Sequence, residues 1–338
     1  MEEKVNMAVS TRRGFLGAVA ATAAIPAAAP SADRVRFLAF ADIHYMPGVY
    51  PNDSREWLER ILARAVSARC EFAIHAGDFT HDPVRNADYV KLYNDAPLPT
   101  FHTLGNHDTE CCPVEKTLEA YRMERGYYCF DRGCFRFVVL DTNYFRKGDS
   151  FVHFQGSNYF DVPRELSWTL GEEQYAWAEN AISSSPNPCV VFMHQSCERE
   201  QHGMPDWSRL RSLFARLNRE KGSKVRLVVN GHHHTDGLRF IDGIPYLDLN
   251  SANYKYYHKS HELYPEEYRR THSGCGHTIA WDAPLSAVLT IGADGYLKVE
   301  GSEAGYLFGV SPEMAQLTMR DRPVRPLIQS VEMKISLC

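Results

Sequence analysis

The chain has 338 residues, of which 44% are hydrophobic and 23% are charged, so it has enough apolar material to bury a sizeable core. Its 37 basic and 42 acidic residues give a formal net charge of −5, without long blocks of one sign, which argues against a general nucleic-acid binder. After the first thirty residues no apolar run reaches the roughly 18 residues that a membrane-spanning helix needs, so we expect no stable membrane anchor.

The first 32 residues have the pattern of a leader segment. Arg12 and Arg13 precede an apolar, alanine-rich run, and small residues follow at Ala29 and Ala32, where a peptidase can cut. The segment resembles a twin-arginine export signal, and the alternative is a disordered alanine-rich extension. The resemblance implies that the twin-arginine export machinery carries the folded, metal-loaded protein to the periplasm or the extracellular space.

The nine cysteines contain no CxxC pair, so a zinc ribbon or a thioredoxin-like site is not supported. In an oxidising compartment the neighbouring Cys111 and Cys112 can form a disulfide with Cys129 or Cys134. The alternative is that most of the cysteines are buried small hydrophobic side chains.

Short apolar runs alternate with amphipathic stretches from Arg34 onward, which predicts layered α/β structure. The predicted strands, in chain order, are 35–41, 72–75, 100–104, 135–141, 189–194, 225–230 and 244–249. Helices are predicted from Asp53, over 172–183 and over 206–218, and a β-hairpin over 285–299. We expect a signal segment over 1–32, one domain over 33–310 and an irregular tail over 311–338 packed on that domain.

Side chains that bind metals are concentrated directly after five of the predicted strands. They are Asp42 and His44, Asp78 after Gly77, the run from Gly105 to Asp108, His194, and the run from Gly231 to His234. Taken singly, an aspartate at a strand end commonly caps a turn, and a lone histidine commonly lies in the core. Because open α/β sheets assemble their sites at the carboxyl ends of their strands, we expect these side chains to share one metal centre.

The spacing within each cluster indicates how the side chains are used. Residues two apart at a strand end project to one side, so Asp42 and His44 can reach one ion. The two carboxylate oxygens of Asp78 can bridge two cations, and His232 and His234 can point the same way while His233 points elsewhere.

The run after the third strand combines a ligand with a catalytic group. The side-chain oxygen of Asn106 is a neutral hard ligand, and His107 is placed to act on whatever binds the metal. Asp108 can fix the tautomer of His107 and raise its pKa.

The order of these clusters resembles the calcineurin-like metallophosphoesterase family over roughly residues 35–250. The resemblance implies a four-layer α/β/β/α sandwich with a dinuclear metal centre. In it Asp42, His44 and His234 bind one metal ion, Asn106, His194 and His232 bind the other, and Asp78 bridges them. His107 is then the acid or transition-state stabiliser outside the coordination sphere, with Asp108 as its partner.

Mixed nitrogen and oxygen ligands favour two divalent or mixed-valence ions of Mn, Fe or Zn over Ca. Two such ions about 4 Å apart clamp the attacking and departing oxygens of an in-line displacement, with a metal-bridging hydroxide as the nucleophile. We therefore expect a phosphoric ester hydrolase that acts on a small-molecule phosphate ester, with a preference for phosphodiester or nucleotide-type substrates. The alternatives are a phosphomonoesterase, a nuclease of the same superfamily, which the lack of a basic stripe disfavours, and a non-catalytic metal-dependent binding protein.

Purple acid phosphatases, a branch of the same superfamily, carry a tyrosine three residues after the bridging aspartate. This chain has His81 there, which argues against a purple ferric site, and we expect His81 to face solvent and His75 to lie in the core.

Substrate selection is expected from two loops, 197–207 and 251–281. The second holds Tyr254, Lys255, Tyr256, Tyr257, His258, Lys259, His261 and Trp281. Its rings can stack on a nucleobase or sugar, and Lys255 or Lys259 can meet a second phosphate. The alternative is that the rings only pack the loop.

Overall fold

The structure is a computed structural model that describes residues 33–49, 54–157, 168–199, 203–257, 264–309, 318–319 and 322–337. The predictions for the signal segment 1–32, for Asp53 as a helix start, and for His258, Lys259 and His261 fall outside these residues.

The described part of the chain contains six helices and 21 short strands. The helices are α1 (Ser54–Ser67), α2 (Ala87–Asn94), α3 (Val114–Tyr121), α4 (Glu172–Ser183), α5 (Trp207–Lys221) and α6 (Glu266–Thr271). The strands are β1 (Arg34–Phe40), β2 (Ala73–His75), β3 (Thr100–His102), β4 (Tyr128–Arg132), β5 (Phe135–Val139), β6 (Tyr144–Lys147), β7 (Ser150–His153), β8 (Trp168–Thr169), β9 (Cys189–Met193), β10 (Val225–Asn230), β11 (Gly237–Ile241), β12 (Ile244–Asp248), β13 (Tyr254–Tyr256), β14 (Thr278–Ala280), β15 (Ala287–Gly292), β16 (Tyr296–Glu300), β17 (Ser302–Glu303), β18 (Thr318–Met319), β19 (Arg322–Pro323), β20 (Leu327–Ile328) and β21 (Val331–Lys334).

Two six-stranded sheets form the centre of the molecule. The first has the strand order β21-β16-β15-β1-β2-β3, and the second has the order β11-β12-β10-β9-β5-β4. Within the first sheet β1, β2 and β3 are parallel, and within the second β5, β9, β10 and β12 are parallel. Antiparallel strands complete both sheets, with β15, β16 and β21 in the first and β11 and β4 in the second.

The alternation of side chains along each strand produces three apolar cores. Phe37 of β1 and Phe137 of β5 meet between the two sheets, with ring centroids 5.4 Å apart. Leu38, on the opposite face of β1, packs in the core that includes α1, α2 and α3, while Val138 of β5 packs in the core that includes α4 and α5. Burying one phenylalanine side chain contributes roughly 1.5–3 kcal/mol to folding. The layers are therefore α/β/β/α, and the predicted fold class is confirmed.

Because both faces of the central strands are covered, these strands are mostly apolar, and Cys189–Met193 is apolar throughout. The predicted metal ligands come after the last residue of each strand, at the carboxyl ends. There the two sheets contact each other: the side chain of His194, after β9, reaches the carbonyl oxygen of Ala76, after β2, at 2.8 Å. The backbone N–H of His232, after β10, donates to the carboxylate of Asp42, after β1.

The sequence predicts the central strands and the terminal hairpin well. Helix α4 has the predicted bounds, and the hairpin is formed by β15 and β16. The prediction of an irregular tail is wrong for Val331–Lys334, which forms β21 at the edge of the first sheet. This strand alternates half-buried and exposed residues over four positions, a pattern too short to be recognised in the sequence.

The eight described cysteines are free thiols, so no disulfide is present in this part of the chain. Cys112 is buried, as expected for a cysteine that acts as a small hydrophobic side chain. Its neighbour Cys111 is exposed. None of the helices in the described ranges is both long and apolar enough to cross a membrane.

Candidate metal centre

Two groups of predicted ligands meet where the strands of both sheets end, and a third group, His44, His81 and His107, shares His44 with the first. In each group the ligand atoms all lie within 4.8 Å of one another: the first group is Asp42, His44 and His234, and the second is Asp78, His194 and His232. Five of these six side chains are buried, and His232 is partly exposed. Buried ionisable groups are normally paired or bound to a metal, so either group can hold a cation.

Asp78 lies between the two groups. Its Oδ2 is 3.0 Å from Nε2 of His194, in its own group, and 3.7 Å from Nε2 of His44, in the other. Its Oδ1 accepts a hydrogen bond of 2.9 Å from the backbone N–H of His107. One carboxylate oxygen therefore faces both groups, while the other is held by the neighbouring loop.

Asn106, the remaining residue predicted as a ligand, is buried beside this carboxylate, directly before His107. Its side-chain oxygen accepts a long hydrogen bond of 3.5 Å from Nε2 of Gln195. Gln195 in turn donates to Oδ1 of Asn143 at 2.9 Å, and Thr142 donates to Gln195. Gln195 thus orients Asn106, and the sequence analysis missed it because a glutamine has no metal-ligand signature.

In two histidines the hydrogen bond is made by Nδ1, so that Nε2 is available to a cation. Nδ1 of His194 donates to the carbonyl oxygen of Ala76 at 2.8 Å, and Nδ1 of His234 donates to that of Tyr254 at 2.6 Å. Because Nδ1 carries a proton in each ring, Nε2 is the nitrogen that can bind a cation at the centre. His233, between His232 and His234, points elsewhere, with Nε2 2.8 Å from Oγ of Ser196.

Five of the side chains in the two groups stand on left-handed backbone. The φ angles are 53° for Asp42, 47° for His44, 54° for Asp78, 69° for His232 and 48° for His234. A residue other than glycine in this region costs of order 1 kcal/mol or more, and such residues cluster at functional sites. These strained turns thus lie where side chains from separate loops converge in the two groups.

Three glycines precede residues of the site and make room for it. A Cβ on Gly77, whose φ is +94°, would overlap the ring of His194, and a Cβ on Gly105 would overlap Asp78. A Cβ on Gly231 would lie 2.6 Å from Oδ2 of Asp42. The donor set, the Nε2 atoms that face the centre and these glycine gaps together fit a pair of cations held by nitrogen and oxygen ligands.

The charges of the site shift the pKa values of its groups. Burial opposes ionisation of Asp78, but the nearby His194 and His107 hold the pKa of this carboxyl well below its usual range. Burial lowers the pKa of His194, but Asp78 raises it to about 9. Burial dominates at His44, where the pKa lies well below the usual value. Because a ligating histidine must give up its proton at the ligating nitrogen, cation binding at His194 releases a proton.

His107 lies beside the two groups, with its ring centroid 4.9 Å from that of His44. Asp108 is not its partner, so that prediction is wrong. The carboxylate of Asp108 is buried and accepts hydrogen bonds from the backbone N–H groups of the loop that carries Asp78 and from Gly105, and one from the hydroxyl of Tyr121. The main chain turns after His107, so adjacent side chains face different directions and Asp108 anchors the loop instead.

The carboxylate that contacts His107 belongs to Glu110, whose Oε2 lies 2.8 Å from Nδ1 of the imidazole. The sequence analysis missed Glu110, although a 3₁₀ turn over His107–Thr109 places side chains three apart on one side. His81 was expected in solvent, and this is wrong: it is 3% exposed, with Nε2 3.0 Å from Nδ1 of His44. The backbone N–H groups of Phe79 and Thr80 donate hydrogen bonds to Asp108, and these turn the loop of His81 inward. His75 is buried, as expected.

The described part of the 251–281 loop contributes two rings to the site. The ring centroid of the buried Tyr254 lies 5.1 Å from that of His44 and 5.4 Å from that of His234. The ring centroid of Tyr256 lies 5.1 Å from that of His234 and 6.2 Å from that of His107. Lys255 is buried and its Nζ donates to the carbonyl oxygen of His233, which disfavours Lys255 as the lysine that meets a second phosphate. Trp281 is also fully buried and belongs to the core between the sheets.

Three comparisons with known proteins bear on the family of the chain. The family model for calcineurin-like phosphoesterase matches residues 35–236. A search of curated proteins finds no match. Among solved structures, a dimetal phosphatase from Danio rerio is 14% identical, with a TM-score of 0.55 over 89% of this chain and 99% of that one.

A second solved structure, GAP50, the anchor in the inner membrane complex of Plasmodium, is 12% identical, with a TM-score of 0.48 over 90% of each chain. At this identity the likeness to the Danio rerio structure supports the fold alone. The family model covers more than half of the chain and includes every residue of the two groups. The chain therefore belongs to the calcineurin-like phosphoesterase family and is a metal-dependent phosphoric ester hydrolase.

Proposed function

We propose that the protein hydrolyses a phosphodiester or nucleotide-type substrate with two metal ions of Mn, Fe or Zn. In this proposal Asp42, His44 and His234 hold one ion, Asn106, His194 and His232 hold the other, and Asp78 bridges them. The observation that carries it is the position of Asp78 Oδ2 between Nε2 of His194 and Nε2 of His44. When bound, two such ions activate water and neutralise the charge that develops on the phosphate.

The chain itself supplies a proton donor for the leaving oxygen. Hydrolysis breaks a P–O bond, so the departing oxygen needs a proton. Nδ1 of His107 is engaged by Glu110, which leaves Nε2 to face a substrate. Burial lowers the pKa of His107, but Asp78 and Glu110 outweigh it and the pKa lies above the usual value, which favours the protonated form that an acid requires.

The preference for a diester is supported by the run Asn106 to Asp108, through the family resemblance, and by the ring of Tyr256. This ring lies beside both His107 and His234, where it can contact the second organic group of a diester. A phosphomonoesterase uses the same ligands, so a substrate panel distinguishes the two.

The first prediction concerns His107. We expect the wild-type protein to contain two metal ions by elemental analysis and to cleave bis(p-nitrophenyl) phosphate with a higher kcat/KM than p-nitrophenyl phosphate. His107→Ala should lower kcat by about 10²–10⁴-fold, because the leaving oxygen loses its proton donor, with metal content unchanged.

The exposed His277 provides the matched control, since His277→Ala makes the same change away from the site. Full Mn-stimulated activity in His107→Ala would contradict the role of His107. A wild-type protein that retains two ions but cleaves neither ester would instead favour a metal-dependent binding protein.

We also propose that the protein is exported by the twin-arginine pathway, on the strength of Arg12, Arg13 and the apolar run after them. Replacing both arginines with lysine keeps the charge but removes the pair itself. We expect uncleaved precursor to accumulate in the cytoplasm, detected by fractionation and immunoblotting. Lys4→Arg is the control, and unimpaired export of the double lysine variant would remove the assignment.

A further inference from the structure

Glu110 is a largely buried carboxylate that the proposed ligand set does not use. Its side chain is 11% exposed and lies at the end of the 3₁₀ turn that begins with His107. Its Oε2 is 2.8 Å from Nδ1 of His107 and 3.3 Å from Nδ1 of His81. One carboxylate oxygen therefore contacts two imidazole rings.

The protons of these contacts have one consistent arrangement. An ionised carboxylate can only accept, so both Nδ1 atoms carry hydrogen. His81 then presents an unprotonated Nε2, which is 3.0 Å from Nδ1 of His44 and accepts a hydrogen bond from its N–H. This leaves Nε2 of His44 on the side of Asp42 and His234, where the proposed metal ion lies.

The same contacts keep Glu110 ionised and the rings in place. Burial would raise the pKa of Glu110, but the hydrogen bonds from His107 and His81 lower it to about 2. The rings of His81 and His107 pack against each other with centroids 4.3 Å apart. Glu110 thus holds Nδ1 of His107 by a hydrogen bond, and the ring of His81 packs against the ring of His107.

We propose that Glu110 is a positioning residue for His107, holding its Nε2 toward the leaving oxygen of the substrate. This inference rests on the proposed function. It assigns to Glu110 the role that adjacency in the sequence suggests for Asp108. Carboxylates that orient functional histidines typically change activity by 10–100-fold when they are replaced.

The test compares Glu110→Gln with Glu115→Gln, the same change at an exposed position five residues away. In Glu110→Gln we expect kcat to fall about 10–100-fold with KM within about twofold of the wild type and with two metal ions still bound. The loss should grow as the leaving group becomes more basic, across a series of substituted phenyl esters, because a misplaced acid matters most there. Glu115→Gln should match the wild type.

Two further variants complete the experiment. Glu110→Asp keeps the charge and should recover part of kcat, which a merely structural role would not predict. The double variant His107→Ala with Glu110→Gln should be no slower than His107→Ala alone, since the two residues act as one unit.

The inference fails if Glu110→Gln has wild-type kcat, if its loss is the same for every leaving group, or if the two changes are additive. Loss of a metal ion from Glu110→Gln would also overturn it, because Glu110 would then act through the ligands. These outcomes differ from failure of the proposed function, in which the wild-type protein itself cleaves no ester.

Discussion

Replacing Asp78 with alanine is expected to remove both metal ions and to lower activity by at least about 10³-fold. Asp78 is the one residue that the proposal shares between the two ions, and its Oδ2 faces a histidine of each group. Metal ions supply several kcal/mol of transition-state stabilisation, and each 1.36 kcal/mol corresponds to a factor of ten in rate. Elemental analysis and kinetics on one preparation measure both effects.

The control for this variant is Asp88→Ala, which makes the same change at an exposed position of α2 and should retain metal and activity. Asp78→Asn preserves the shape of the side chain, so it separates loss of the bridging charge from loss of folding, checked by circular dichroism. One ion bound at full occupancy in both Asp78 variants would contradict the bridge.

Gly105→Ala is expected to abolish activity with a single added methyl group. That group would overlap both the carboxylate and the backbone nitrogen of Asp78, and neither can move freely. The backbone nitrogen is hydrogen-bonded to Asp108 at 3.0 Å, and Oδ1 accepts from the backbone of His107. We expect the Asp78 loop to shift, with loss of metal and a fall in activity comparable to that of Asp78→Ala.

Gly222→Ala separates this effect from general instability. Gly222 has φ +70° at the end of α5 with no atom near its Cβ position, so alanine there strains the backbone but touches nothing. It should lower stability by about 1 kcal/mol and leave metal content and activity intact. Normal metal content in Gly105→Ala would show that the loop tolerates the methyl group.

The sequence predicts the neighbourhood of the site because sheet topology is simple to infer. Residues such as Asp42, Asp78 and His194 each follow a buried strand, and parallel strands bring those ends to one edge. The four-layer order follows from apolar strands that must be covered on both faces. These parts depend on regular periodicity, which a single sequence displays.

The contacts around His107 could not be predicted in the same way. Whether Asp108 or Glu110 meets the imidazole depends on the turn that follows it, and the 3₁₀ geometry favours the residue three positions on. His81 faces inward because Asp108 binds the backbone of its loop, a contact between residues 28 positions apart. Gln195 is paired with Asn106 across two loops of different sheets. Irregular loops have no repeating pattern from which such contacts follow.

The proposed ligands come from both halves of the sandwich: β1, β2 and β3 precede four of them, and β9 and β10 precede the other three. Each ion would therefore cross-link two layers that otherwise meet through apolar side chains and a few hydrogen bonds, such as that from His194 to Ala76. A ligand that binds the folded state alone adds about 2.7 kcal/mol of stability at a concentration one hundred times its Kd. Metal supply would then govern the lifetime of the folded protein as well as its turnover, so a chelator would make the chain easier to unfold and to digest.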